Sequence, residues 1–291
     1  MTESLSIVIV GYNRPSALAR TIRSLREDAT TTRARVVVAV NAGGAVADVP
    51  DCCAGADEIL RMEANIGVDA YNRGVERVST PFTLILDDDA RPAPGVVAAA
   101  IQALECDAGT AAVALHPLAG PDLRSEWPFA RASDTGRTDW PLLGCGHILR
   151  TEDWRRVGGY ESAYFLYGND TDLALKLLGG GRGVLFRPEW VVWHDTCTAF
   201  ARPDAWFRLA TRNRVWTARR HAGAWWPLAA ALACADSHRR AGLRLAAHWL
   251  AHRGAWAGFA RTAPPHVATA GSRRAYRTLL SLSARLFRRG E

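Results

Sequence analysis

The sequence predicts an α/β fold, a mostly parallel central sheet flanked by helices, with a helical C-terminal extension. Three observations carry that expectation. Short apolar, β-branched runs at residues 5–10, 36–40 and 82–86 alternate with amphipathic stretches, the pattern of β-α-β units whose strands are covered on both faces. Each run stops abruptly in polar or turn-forming residues. Beyond residue 200 the pattern is helical and rich in Arg, Ala and Trp.

The first strand, Leu5 to Val10, ends in Gly11-Tyr12-Asn13-Arg14-Pro15. Proline suits the first position of a helix, where its missing N–H has no partner to lose, and "SALARTIRSLRED" then repeats apolar residues at Leu18, Ile22 and Leu25. The second strand, Val36 to Val40, stops at Asn41-Ala42-Gly43-Gly44. "ANIGVDAYNRGVERVS" reads as a loop entering a helix, and Pro81 precedes the third strand, Phe82 to Leu86. "YGNDTDLALKLLGGGRG" is a helix stopped by Gly179-Gly180-Gly181, and "RPEWVVWHDTCT" is a strand-like run delivering His194.

The 291 residues suit one large α/β domain or a domain with an appendage. Charge marks a boundary near residue 200: residues 1–200 sum to −7 and residues 201–291 to +14, within a net charge of +7. We therefore divide the chain into a catalytic body, 1–200, and a basic, Trp-rich helical region, 201–291. The six cysteines (Cys52, Cys53, Cys106, Cys145, Cys197 and Cys234) form no C-x-x-C pair, which points to free thiols in a reducing compartment. "MTESLSIVIV" lacks a basic stretch before its apolar run, and the apolar run Ala224 to Ala235 is too short to span a bilayer. A cytoplasmic protein is expected, with peripheral contact at the inner face of the membrane through Arg and Trp of residues 201–291. The acidic first 200 residues and the lack of a recognition motif argue against nucleic acid as a partner. No G-x-G-x-x-G or Walker A sequence is present.

Ligands of such sheets lie outside the carboxyl ends of the strands, where "FTLILDDDARP" puts three aspartates. Adjacent carboxylates near a core repel one another and lose solvation, so a counter-cation from outside the sequence is expected. With strand alternation, Asp87 and Asp89 point one way and Asp88 the other, and an Asp-x-Asp pair can hold Mn²⁺ or Mg²⁺. The other reading is a turn cluster before Arg91-Pro92. Asp170, at a helix start, is either a capping carboxylate or a general base kept ionised by the helix dipole. His194 is either structural or a neutral ligand that joins the carboxylates. Trp127, Phe129, Arg131 and Trp140 either stack on an acceptor or fill the core.

Taken in order, "SIVIVGYNRP", "EANIGVDAYNRGVE", "LILDDDARP", "GCGHILRTEDWRRVGGYES", "YFLYGNDTDLALKLLGGG" and "PEWVVWHD" resemble the family 2 glycosyltransferases of GT-A fold, in particular the rhamnosyl- and galactofuranosyl-transferase-like branch. The likeness covers residues 5–220. It implies inverting transfer of a sugar from a nucleotide diphosphate (UDP, dTDP or GDP) to a hydroxyl of a glycan, a lipid-linked intermediate or a small molecule. It implies that Asp87, Asp89 and His194 hold Mn²⁺ or Mg²⁺, and that Asp170 is the base. Nucleotide-sugar contacts are implied for Tyr12, Asn13, Arg14, Asn41, Asn65, Gly67, Asn72, Arg73, Asp87 and Asp88. The chain departs from the family at Asn41, often acidic, at Asn169, where a glutamate precedes the base, and at Glu161, where aspartate is frequent. "RNR" at 212–214 resembles an element beyond the catalytic residues, or is a basic helix face.

Two other functions fit parts of the sequence. A sugar nucleotidyltransferase also uses paired aspartates, but needs a glycine-rich, lysine-containing triphosphate loop that residues 11–15 do not supply. A non-catalytic module would bind membranes or phosphates through residues 201–291.

Overall fold

The computed structural model describes residues 4–45, 50–195, 204–240, 242–243, 245–257 and 268–285. Cys197 and the boundary near residue 200 lie outside the described residues.

The strands are β1 (Leu5–Gly11), β2 (Arg35–Val40), β3 (Glu58–Arg61), β4 (Phe82–Asp87), β5 (Ala90–Pro92), β6 (Thr110–Ala119), β7 (Arg124–Ser125), β8 (Gly146–Arg150) and β9 (Gly183–His194). They form one sheet in the order β3-β2-β1-β4-β8-β6-β9-β5, with β7 paired to β6. Pairing is parallel from β3 through β4 and between β6 and β9, so among these strands only β8, β5 and β7 run against the rest. The sheet is therefore mostly parallel.

The helices are α1 (Pro15–Glu27), α2 (Asp69–Glu76), α3 (Val96–Cys106), α4 (Thr151–Val157), α5 (Asn169–Gly179), α6 (Asp204–Ala222), α7 (Trp226–Arg240), α8 (Leu245–Trp256) and α9 (Ala270–Ala284). Alternation along β1 sorts the core into two layers. Ile7 and Ile9 pack with Leu18, Ile22 and Leu25 of α1 and with Val97 and Ile101 of α3. Val8, on the opposite face, packs with Val75 of α2, Trp154 of α4 and Leu173 of α5. Pro15 opens α1, and α5 ends at Gly179, as the sequence leads one to expect.

Trp140 is fully buried, stacked on Phe186 with centroids 4.0 Å apart, and Trp127 meets the same ring edge-on. The core reading of these two tryptophans therefore holds. Beyond residue 204, α6 docks on α5 through a buried ionic cluster. Asp172 lies 2.8 Å from His221 Nε2, 3.1 Å from Lys176 Nζ and 3.2 Å from Arg220 Nε. Burial alone would raise its pKa, but these partners bring it down to about 2. Among the described residues, no helix is long and apolar enough to cross a membrane.

Register sets where chemistry can occur. Val10 lies opposite Asp87 and Gly11 opposite Val40, so β1, β2 and β4 end flush at one edge. The chain leaves β4 at Asp87, turns through Asp88 and Asp89, and re-enters the sheet as β5, where Ala90 pairs with His194.

Candidate active site

That turn replaces the expected strand alternation through Asp89: β4 stops at Asp87. Asp87 and Asp89 nevertheless converge, because β5 pins the turn against the end of β9. The Asp195 N–H donates to the Asp89 carbonyl (2.8 Å), and His194 Nε2 lies 3.3 Å from Asp89 Oδ1 and 4.0 Å from Asp87 Oδ2. One ligand atom from each of Asp87, Asp89 and His194 falls within 4.8 Å of the others. Asp89 Oδ1 is buried and makes no hydrogen bond, an acceptor aimed into the cluster. Two carboxylates and an imidazole with an orphaned oxygen between them fit a divalent cation of the Mg²⁺ or Mn²⁺ type.

Part of the missing counter-charge lies within the chain. Arg14, from the loop after β1, pairs with Asp88 at 2.6 Å and also with Asp89. Burial pushes the Asp88 carboxyl up to about 7 despite Arg14. Burial and the Asp89 charge also raise Asp87. Burial works upward on Asp89 too, but His194 and Arg14 bring it below the ordinary carboxylate range.

Residues missed at the sequence level complete the cluster. Tyr71 of α2 donates to Asp87 Oδ1 at 2.7 Å. His194 Nδ1 lies 2.6 Å from Glu126 Oε2, a carboxylate that fixes the ring so that Nε2 faces Asp87 and Asp89. Burial would lower the His194 pKa, but Asp89 and Glu126 lift it to about 10, so Nε2 must give up a proton to bind an ion. Cys145 lies within reach of Glu126 and His194. Tyr71 had a signal, since it shares the buried side of its helix with Val75. Glu126 had none, because it follows a two-residue strand without periodicity.

Asp170 lies in the first turn of α5, beside this cluster. Its Oδ2 accepts from the Gly144 N–H (3.0 Å) and its Oδ1 from the Thr171 N–H (2.7 Å). A Cβ on Gly144 would stand 3.7 Å from Asp87 Oδ1, so this one glycine separates the two acidic groups. Burial raises Asp170 to about 6, against the pull of those two N–H groups, with the Asp87 charge adding to the rise. At neutral pH it is ionised but weakly so, the state a general base needs.

The segment ahead of Asp170 is backbone-strained. Phe165 and Tyr167 adopt φ of 61° and 69°, unusual for bulky side chains, and Gly168 follows at 75°. Residues of "RNR" hold it: Asn213 Nδ2 donates toward the carbonyls of Tyr164, Leu166 and Tyr167 at 3.0, 2.8 and 2.6 Å. Arg212 Nη2 donates to Tyr164 O at 2.6 Å. The 212–214 element is thus a brace for the Asp170 approach, with Asn213 buried, Arg212 bonded to backbone carbonyls and Arg214 exposed.

Other expected nucleotide contacts divide into two groups. Asn13 Oδ1 accepts from the Ala45 N–H at 3.3 Å, and Gly44 packs against Tyr12, so the loops after β1 and β2 form one wall. Asn41 is buried with both ends of its amide engaged, accepting from Ile66 N–H at 2.9 Å and donating to Gly67 O at 3.1 Å. Asn65 Oδ1 accepts from the Gly67 N–H. Gly67 has φ of 59°, and a Cβ there would be driven into the Phe165 carbonyl, so only glycine fits this junction. Asn72 is drawn away from the aspartates: its amide ties Asp69 and both backbone groups of Tyr160. Arg73 lies on the helix surface, paired with Asp69 and Glu76.

Comparison with known proteins bears on the family and the fold. The sequence profile "Glycosyl transferase family 2" matches residues 6–154. The pre-mycofactocin glycosyltransferase of Mycobacterium tuberculosis is 28% identical over 212 residues, covering 66% of this chain and 43% of that protein. Rhamnosyltransferase WbbL of Escherichia coli is 30% identical over 86 residues, covering 26% of this chain and 32% of that protein. The chain thus spans less than half the length of these relatives. Among solved structures, mannosyltransferase PcManGT from Pyrobaculum calidifontis, in complex with GDP-Man and Mn²⁺, superimposes with a TM-score of 0.58 at 18% identity over 98% of this chain and 86% of that one. S. aureus TarS 1-349 with UDP-GlcNAc gives 0.61 at 12% identity, over 98% and 87%. At these identities the structures speak for the fold.

Proposed function

The chain belongs to glycosyl transferase family 2, and from that premise we propose that it transfers a hexosyl group from a nucleotide-diphosphate donor to an acceptor hydroxyl with inversion. The observation that carries the reading is the meeting of Asp87, Asp89 and His194 at the strand edge, with Asp170 held on the other side of Gly144. Asp87, Asp89 and His194 would hold Mn²⁺ or Mg²⁺. Such an ion supplies positive charge for the diphosphate that leaves. Glu126 orients His194, and Arg14 balances Asp88 and Asp89. The loops carrying Tyr12, Asn13, Asn41, Asn65 and Gly67 wall the nucleotide side, while Asp170 takes the proton of the attacking hydroxyl. The transition state is oxocarbenium-like and no sugar becomes attached to the protein.

Thermal-shift measurements with UDP, dTDP and GDP, each with Mn²⁺, Mg²⁺ or EDTA, test the donor half of this reading. One nucleotide should raise the melting temperature only with metal, since a ligand that binds the native state stabilises it. Asp89→Ala should abolish that shift. An equal shift in the variant, or in EDTA, would remove Asp87, Asp89 and His194 from the mechanism.

Peripheral membrane contact rests on its own observation. Trp225, Leu228 and Leu232 are 86%, 57% and 64% exposed at and along α7, and Leu245 and Trp249 are exposed on α8, within the basic region. Exposed aromatics with arginines nearby match an interfacial surface on anionic lipid, at the cytoplasmic leaflet.

A further inference from the structure

Away from the aspartate cleft, three histidines converge in the C-terminal helices. His238 lies on α7, while His248 and His252 stand four residues apart on α8, so their side chains share one face. One nitrogen from each lies within 4.8 Å of the others, and the ring centroids are 4.5 to 5.3 Å apart. His238 Nδ1 and His248 Nδ1 are 3.1 Å apart. Two nitrogens bound to a tetrahedral ion at its usual bond length are about 3.4 Å apart, so the pair is nearly in place. A hydrogen bond between the two rings would also account for that pair, but not for the third. His252 Nε2 is buried with no hydrogen-bond partner.

The surroundings favour a ligand role. The other ring nitrogen of His238, Nε2, is 2.9 Å from Thr211 Oγ1 on α6, the outer hydrogen bond that orients a metal-binding imidazole. No carboxylate joins the group among the described residues, which disfavours Mg²⁺ and Ca²⁺ and suits Zn²⁺ and its neighbours.

We propose that His238, His248 and His252 form a second metal site, separate from that of Asp87, Asp89 and His194, which takes a transition-metal ion of the Zn²⁺ class and leaves its fourth position to water. The ion clips α7 and α8 together and, through Thr211, ties them to α6. Thr211 immediately precedes Arg212 and Asn213, the residues that hold the strained approach to Asp170. The site therefore stiffens the brace of the candidate active site without touching substrate.

The test uses the metal-free protein of residues 1–291, titrated with Co²⁺ as an optical probe and with Zn²⁺ in equilibrium dialysis. Wild type and Asp89→Asn should both bind Zn²⁺ and give the intense visible absorption of four-coordinate, nitrogen-bound Co²⁺. His248→Gln and His252→Gln should lose that absorption and one equivalent of bound Zn²⁺, and each combined with Asp89→Asn should bind none, with helicity checked by circular dichroism. Thr211→Val, close in volume and with its folding checked in the same way, should weaken Zn²⁺ binding about 10- to 100-fold. The proposal falls if wild type lacks that absorption. It falls equally if Asp89→Asn abolishes all binding, or if Zn²⁺ affinity is the same in wild type, His248→Gln and Thr211→Val.

Discussion

Asp170 carries the sharpest expectation at the scale of single residues. Its carboxyl sits at about 6 because burial works against the two N–H groups that steady it. A raised pKa in a base means that protonation, and loss of activity, begins at a higher pH than for a free aspartate. The turnover rate should fall about tenfold per pH unit below pH 6 and level off above it. Asp170→Asn should lower kcat about 10²- to 10⁴-fold, leave metal-dependent nucleotide binding intact and abolish the acidic limb of the pH profile. Retained turnover with the same limb would assign the base elsewhere. Residue types were readable at this scale: Asp87, Asp89, Asp170 and His194 stand out as acids and an imidazole at element ends. Their partners were not. Asn41 and Asn72 look like ligand contacts in sequence, yet their amides are engaged by backbone groups across the fold. Glu126 orients His194 from 68 positions away, a relation that no local pattern encodes.

Among the elements, α6 shows how support is built into a site. Asn213 offers one amide nitrogen to three carbonyls of a segment that holds two bulky residues at positive φ. Asn213→Ala should cost about 1–3 kcal/mol in urea denaturation, because buried carbonyls lose their donor. The loss in kcat should exceed what that destabilisation explains, since the released segment leads directly into α5. If the variant is destabilised but fully active, the brace serves folding alone. The early elements were legible because each obeys one period: β1, β2 and β4 are buried apolar runs, and α1 repeats at Leu18, Ile22 and Leu25. Strands β6 and β8 escaped the sequence reading. β6 is largely alanine in its first half, and β8 is a short segment that runs opposite to its neighbours. Antiparallel insertion of β8 is decided by pairing with β4 and β6, and no residue of β8 announces it.

Taken whole, the molecule is electrically lopsided: its first 200 residues sum to −7 and the rest to +14. The positive part also bears the exposed Trp225, Leu228 and Leu232. In liposome flotation the protein should rise with anionic vesicles at low salt, rise less as salt increases, and stay behind with neutral vesicles. Trp225→Ser with Leu232→Ser should reduce binding without changing the circular dichroism spectrum. Recovery of all the protein in the soluble fraction at low salt would dismiss membrane contact.

The turn between β4 and β5 has an implication for how this protein can change over generations. Two residues, Asp88 and Asp89, lie between the strand that ends at Asp87 and the one whose Ala90 faces His194. That short span both seals the sheet and sets the acidic cluster, so its length is not adjustable. In a single-residue insertion library, positions 87–90 should be empty among soluble, active clones, whereas the exposed turn at residues 121–123 should accept extra residues freely. Donor preference can then drift by exchange of side chains around this span, but loop growth, the common route to new specificity, is closed to it.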